Sequence, residues 1–437
     1  MLRHEGMRAI LSARQWVCAT VSVTTVGLTA CSSQSVSAVG DGGSGVSPAR
    51  DGGTPADAAA HGDSGSSGSS GGHDAGSDSG GAMLDAAQPD DAAEPDGSCP
   101  AGLPCAVGWY EVPNTAIAGL CPTYSDIQGT VGCPAVMAAW GTALVDTKRN
   151  RLVIHGGGHV DYYGNEIYAV DFDARPISAV LVHDASHGSG IANLGSCPEI
   201  FSDGMPNSRH GYNGLWYLPT QDEYWMYGAG LSICGDFSDG QWVFSPTAGS
   251  WTSLSNTGHP DSAENGSTPQ FAYDSVTDSL YEVESNTGTF WQYTIASNVW
   301  TSLSDGGGCG TDNATSAIDP VHRLYLCVGS GDFHTVSLTA PYDVTDVSSA
   351  PGCSALVSAP APGFAFDPVQ NLLVGYIGGN DVTTYDPVAK SCTSQSHPGG
   401  PSTVQNVGTY GRFQYMPGLA GFVYAGSTTT NVWFLRL

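Results

Sequence analysis

Two histidines, His155 and His159, bracket three consecutive glycines in the stretch IHGGGHVDYYGNE. Imidazoles exchange protons near neutral pH, and glycines let the backbone turn sharply and a ligand approach closely. The same stretch carries Asp161, Tyr162, Asn165 and Glu166, and further on Arg209, His210 and Tyr212 fall within RHGY. Tyr410 and Arg412 repeat the pairing of a phenol with a guanidinium near the C-terminus, and Gln270 precedes an apolar run. Histidine and tyrosine are acid–base groups, arginine pairs bidentately with a carboxylate, and an amide binds carboxyl or hydroxyl groups. What these residues do depends on whether the fold brings them together.

The elements around them are strands. NEIYAVDF and RLVIH are short, rich in β-branched and aromatic residues, and bounded by turn residues, so the opening loop is a hairpin connection. The pattern recurs in WGTALVDTKRNRLVIHGGG, YNGLWYLPTQDEYWMYGAG, PQFAYDSVTDSLYEVES, TSAIDPVHRLYLCVGS, PGFAFDPVQNLLVGYIGG and GRFQYMPGLAGFVYAGS. Each is a strand, a polar turn and a second strand, and most are followed by a third, such as GQWVFSP or NVWFLRL. Short antiparallel modules at this period indicate an all-β propeller. The count favours six blades, with seven as the alternative. The last module stops after its third strand, and GWYEVPNT, near Trp109, is expected to supply the missing fourth and close the ring.

Blade connectivity then groups the chemistry. The connection between second and third strands and the entry to each first strand share one face. That rim collects His155, His159, Asp161, Tyr162 and Asn165 from the opening loop, and Arg209, His210, Tyr212, Gln270, Tyr410 and Arg412 from the entries. Each also has a packing reading. His155 ends a strand and would bond a neighbouring blade, Glu166 would pair with one, and Arg209 with Tyr212 would clamp two blades. Trp242, Trp251, Trp291, Trp300 and Trp433 lie on alternating strands and are expected to pack between blades.

The remaining sequence sets context. Arg3, Arg8 and Arg14 precede WVCATVSVTTVGLTA, a run too short for a comfortable membrane span and of secretion-signal type. It ends in LTAC, which resembles the bacterial lipobox and implies that residues 1–30 are a signal peptide and that Cys31 carries an acyl anchor in the outer membrane. Residues 31–97, dominated by Gly, Ser, Asp and Ala, read as a disordered acidic spacer, leaving 98–437 for the propeller. With 13 basic against 41 acidic residues and a formal charge of -28, nucleic acid is excluded as a partner for want of a basic footprint. The body's cysteines form an even set, which in an exported chain suggests disulfides. Sequence neighbourhood pairs Cys121 with Cys133, Cys197 with Cys234, Cys309 with Cys327 and Cys353 with Cys392, although sequence alone leaves connectivity open. No zinc-type CxxC pair occurs among them.

The repeat resembles the Kelch type. GGGHVDYYGNE (Gly156–Glu166) and RHGYNG (Arg209–Gly214) look like motifs of bacterial Kelch-like or galactose-oxidase-like propellers, with a third likeness at Tyr410–Tyr424. The resemblance implies a fold more firmly than a function. Copper radical oxidases share the Kelch propeller but need a further C-terminal domain, and the last blade here reaches Leu437. The leading expectation is a surface-anchored polysaccharide lyase acting on uronic-acid glycans. In that scheme His159 and Tyr212 are base and acid in either order, and Arg209, with Asn165 or Arg412, neutralises the uronate. Propeller lyases are similar only in architecture, using histidine, tyrosine and arginine on one face. The alternative is a noncatalytic glycan- or protein-binding module on the same rim. No resident metal or cofactor is expected beyond a calcium ion at Asp161 or at Asp236 and Asp239, and the expected state is a monomer.

Overall fold

Each repeat turns on a local device. In the first repeat Asp146 ends a strand and its Oδ1 accepts the backbone N–H of Lys148 and Arg149, both at 3.0 Å. Asn150, at φ 46°, then returns the chain to its partner strand. Asp274, Asp319 and Asp367 cap the following backbone N–H groups in the same way, and Asp278, Arg323 and Asn371 take the left-handed residue's place. A short carboxylate bonded two and three residues ahead favours the tight turn over a continuing strand.

The computed structural model describes residues 99, 102–235, 237–255, 258, 268–309, 313–402 and 407–437. The chain divides into two units, Met1–Ala86 and Ala87–Leu437. The signal segment, the spacer and Cys31 lie outside the described residues, and among the described residues no helix is long and apolar enough to cross a membrane.

Strand β1 (Gly108–Val112) precedes the repeats. Blade 1 comprises β2 (Thr142–Asp146), β3 (Arg151–His155), β4 (Ile167–Asp171) and β5 (Ser178–His183). Blade 2 comprises β6 (Leu215–Leu218), β7 (Glu223–Gly230), β8 (Phe237–Ser245) and β9 (Ser250–Leu254). Blade 3 holds β10 (Phe271–Asp274), β11 (Ser279–Val283), β12 (Phe290–Thr294) and β13 (Val299–Ser304). Blade 4 holds β14 (Thr315–Asp319), β15 (Leu324–Gly329), β16 (Asp332–Ser337) and β17 (Val344–Asp346). Blade 5 holds β18 (Gly363–Asp367), β19 (Leu372–Tyr376), β20 (Asp381–Asp386) and β21 (Ser391–Ser396). Blade 6 is built from β22 (Phe413–Met416), β23 (Gly421–Tyr424), β24 (Val432–Arg436) and, from the other end of the body, β1.

The result is a six-bladed β-propeller of four-stranded antiparallel sheets, which removes the seven-bladed alternative. The innermost strands touch in sequence around the ring, and β2 packs on both β6 and β22. Closure is antiparallel, with Trp109 opposite Leu435 and Val112 opposite Val432. Thr115 Oγ1 accepts the Val432 N–H at 2.7 Å, and the Thr115 N–H donates to Asn431 Oδ1 at 3.0 Å. The edge that β24 would otherwise expose is thereby paired.

The core consists of layers between blades. Leu144, Val153 and Ala169 of blade 1 face Tyr224, Trp242 and Trp251 of blade 2. Trp225, Trp291 and Trp300 fill the next layer, and Trp109 and Trp433 belong to the layer between blades 5 and 6. The strand tryptophans therefore cover blade faces. An ion pair and a hydrogen bond join blades at the far end from the expected rim: Arg323 grips Asp274 with two bonds of 2.7 Å, and Tyr224 donates to the buried Asp146 at 2.8 Å. The four neighbour disulfides form as paired above, and Cys99–Cys105 makes a fifth.

Candidate functional site

The β3–β4 connection carries His159 to the end of the propeller where the innermost strands begin. His159 sits at φ 44° and its N–H bonds Leu231 O at 2.9 Å, so the loop is tied to the β7–β8 connection of blade 2. Gly235 at φ +69° lies against the His159 imidazole so closely that a Cβ there would overlap the ring. Gly158, at φ +77°, leaves room for Arg209, whose Cα would stand 2.5 Å from an added Cβ. The Cys197–Cys234 disulfide links the segment before β6 to this β7–β8 connection, so three loops converge on one wall.

At this wall His159 is exposed, and its ring meets that of His210 edge-on at 5.2 Å. His210 is almost fully buried. Its Nε2 lies 3.3 Å from Asp161 Oδ2, and its Nδ1 lies 3.4 Å from the Tyr212 hydroxyl, a long contact. A carboxylate accepts only, so Nε2 carries the proton and Nδ1 is left as an acceptor facing the phenol. Burial lowers the His210 pKa, outweighing the bond to Asp161, and the neighbouring His159 pushes the same way. The imidazole is therefore neutral at pH 7, with burial opposing its protonation and Asp161 favouring it. Trp140 packs 4.7 Å from the His210 ring, and Tyr410 meets Tyr212 edge-on at 5.6 Å.

The other rim residues lie beneath this surface. His155 is buried and its Nδ1 bonds Glu166 O at 3.0 Å, and burial pushes its pKa down to about 4. Tyr162 and Gln270 are fully buried. Asn165 spans Ser186 and Pro206 O through Nδ2 and accepts the Ser186 N–H at 2.8 Å. Burial raises the Glu166 carboxyl pKa, and Glu166 accepts the Tyr168 hydroxyl at 2.8 Å.

The arginines depart most from the expected arrangement, in which both guanidinium groups face the rim. Arg209 is buried, with Nη2 at 2.7 Å from Glu199 Oε1, Nη1 at 3.1 Å from Gly228 O and Nε at 3.2 Å from Asn207 O. Arg412 is also buried and donates to main-chain carbonyls of Gly141, Ala425, Gly426 and Gly408. Its Nε bond to Gly141 ties blade 6 to blade 1. The physical reason is that entry loops at a blade junction leave carbonyls pointing inward, and five fixed N–H donors satisfy several at once. The rim therefore brings together His159, Asp161, His210, Tyr212 and Tyr410, while His155, Tyr162, Asn165, Arg209, Gln270 and Arg412 sit in the scaffold below.

Asp236 lies outside the described residues, and among the described residues no group of three or more His, Cys, Asp and Glu side chains is placed to hold a metal. A separate cavity of about 480 Å³ opens beside the Cys121–Cys133 disulfide, between Pro122, Gln128 and Thr428, and carries no acid–base side chain. Three residues of the wall escape a motif reading: Trp140, Glu199 and Gly235. Glu199 receives Arg209, the Trp242 indole N–H at 2.6 Å and the Ser238 hydroxyl, so it anchors the segment that precedes His210. Trp140 had a legible signal, since it occupies in its repeat the place that Tyr212 and Tyr410 occupy in theirs.

No protein-family model matches the chain, and no curated protein matches it. Among solved structures, a structural-genomics protein of unknown function from Bacteroides thetaiotaomicron is 11% identical with a TM-score of 0.46, over 75% of each chain. YjhT is 9% identical with a TM-score of 0.45, over 72% of this chain and 95% of its own. TolB from Acinetobacter baumannii is 10% identical with a TM-score of 0.36, over 60% of this chain and 55% of its own.

Proposed function

We propose that the end of the propeller bearing His159 is an acid–base site for a glycan, acting as a polysaccharide lyase on uronic-acid-containing chains. The observation that carries this reading is the series Asp161–His210–Tyr212 beside the exposed His159. β-Elimination removes the proton α to the uronate carboxyl group and breaks the bond to the leaving glycosidic oxygen. Tyr212 passes its phenolic proton to His210 Nδ1 as the sugar C–H bond breaks, and Asp161 offsets part of the cost that burial puts on the imidazolium so formed. The phenolate takes the sugar C–H proton, and the electron pair forms the C=C bond. His159, which stands on the solvent side, protonates the leaving oxygen. Arg209 acts as a positioning residue through the backbone next to His210. The lipobox-like LTAC supports a propeller tethered to a bacterial envelope by Cys31, where it would meet polysaccharide as a monomer.

The test is ultraviolet absorbance of newly formed unsaturated sugars when the full chain is incubated with a panel of uronic-acid polysaccharides. Activity lost in both His159→Ala and Tyr212→Phe supports the assignment. Activity that survives both substitutions refutes it.

A second reading is favoured by a specific observation. Arg209, Arg412 and Asn165 are all consumed by the scaffold, so the uronate has lost its expected neutralising groups. A noncatalytic glycan-binding propeller needs no such group. Saturable retention of glycan with a flat absorbance trace, unchanged by Tyr212→Phe, selects this reading.

A further inference from the structure

The six blades supply six equivalent positions at the mouth of the channel. Counting back by the same offset from the last paired residue of each first strand gives Trp140, Tyr212, Thr268, Asn313, Ala361 and Tyr410. The backbone confirms the correspondence. Trp140, Tyr212, Ala361 and Tyr410 take left-handed φ values of 51°, 45°, 38° and 49°. Neighbours are also linked by main-chain bonds: Tyr212 N to Trp140 O at 2.7 Å, Tyr410 N to Ala361 O at 3.2 Å and Ala361 N to Asn313 O at 2.7 Å. Bulky L-residues avoid this conformation unless the surroundings impose it, so the blade junctions hold these side chains in fixed directions.

The ring is chemically uneven. Three aromatics, Trp140, Tyr212 and Tyr410, occupy consecutive positions across the junction of blades 6, 1 and 2, and Thr268, Asn313 and Ala361 fill the rest. Tyr410 and Tyr212 are buried, whereas Trp140 is half-buried. Among the described residues the Trp140 indole N–H makes no hydrogen bond, and the half-buried Asn313 uses its Oδ1 to accept the Tyr410 hydroxyl at 2.9 Å while its Nδ2 donates to no protein group. A flat apolar face beside acid–base groups, with unspent N–H donors on the indole and on the amide across the ring, matches the two sides of a pyranose: C–H bonds on one face and hydroxyls around the edge.

We propose that Trp140 is the stacking platform of a pyranose-binding subsite at the channel mouth, with Asn313 reading a hydroxyl of the same sugar. This rests on the glycan reading above and specifies its ligand as a six-membered sugar ring, recognised before any carboxylate is. Both uronate and neutral pyranose chains are then retained, because the platform carries no charge.

The test is fluorescence-anisotropy titration of the full chain with end-labelled oligogalacturonide and with a neutral gluco-oligosaccharide of matched length. Trp140→Ala and Trp140→Leu are expected to weaken both by about tenfold, while Trp140→Phe stays close to wild type. Trp140→Leu keeps apolar cover without a flat face, and an unchanged unfolding temperature in any of the three separates loss of stacking from loss of fold. Asn313→Ala is expected to weaken binding less than Trp140→Ala. Wild-type binding that Trp140→Ala and Trp140→Leu leave intact overturns the platform and spares the glycan reading. Absence of wild-type binding to both probes overturns both.

Discussion

His155 should make the propeller lose stability on mild acidification, and the loss can be isolated by one substitution. The imidazole is fully buried at the end of β3, bonded through Nδ1 to Glu166 O at 3.0 Å, with Nε2 lacking a partner among the described residues. Burial is the main cause that pushes its pKa down from 6.5 to about 4, with smaller contributions from the charges of Arg209 and His183 against the bond to Glu166. The folded value lies below the unfolded one, so the unfolded chain binds the proton more tightly. The contribution is therefore complete above pH 6.5 and is lost as the pH falls towards about 4. Linkage gives a loss of about 2 kcal/mol by about pH 5 and about 3 kcal/mol by about pH 4. His155→Gln keeps a donor for the Glu166 carbonyl and removes the titration. Urea unfolding of both proteins near pH 7.5 and near pH 5, with a denaturant slope of about 3 kcal/mol per molar, should show the wild-type midpoint falling by about 0.7 M more than that of the variant. His183, His210 and His397 titrate in both proteins and largely cancel in this comparison. Equal falls would show that His155 is reached by water, and the placement beneath the rim would be wrong.

Arg209→Leu should cost about 2–4 kcal/mol, because it strands Glu199 and the carbonyls of Gly228 and Asn207. The paired double variant Arg209→Leu with Glu199→Gln should recover part of that loss, read by thermal unfolding. Deleting Gly108–Val112 should expose β24 as an edge and shift the protein towards aggregates in size-exclusion chromatography, whereas a monomer of unchanged stability would contradict the closure. Replacing Cys353 and Cys392 together by serine opens a link across 39 positions and should lower stability by up to about 4 kcal/mol in denaturant unfolding. Little change would mean that the packing of blades 4 and 5 already holds that segment.

Much of the fold was written locally. Strand alternation, an aspartate at the turn and small residues after the second strand recur along the chain, and each acts over a few neighbouring residues, so the repeat and its closure by GWYEVPNT are readable without coordinates. Blade connectivity assigns the rim residues to one face, and His159, Asp161, His210, Tyr212 and Tyr410 lie there in a chain of contacts. Depth was another matter. Whether Arg209 and Arg412 meet solvent or fill a junction depends on carbonyls supplied by other blades, including Gly141, which lies 271 residues from Arg412 in sequence. No local pattern encodes such a partner. The same holds for His210, whose neutral state comes from burial by surrounding loops and whose tautomer is set by Asp161, 49 residues away. Trp140 lies between these cases: its offset within the repeat was legible, but its convergence with Tyr212 and Tyr410 follows from ring closure, which brings the first blade beside the last. The sequence by itself determined the strands and the turns; the tertiary structure alone decided which side chains the blade junctions bury and which they leave exposed, because burial is a property of what packs above a residue rather than of the residue.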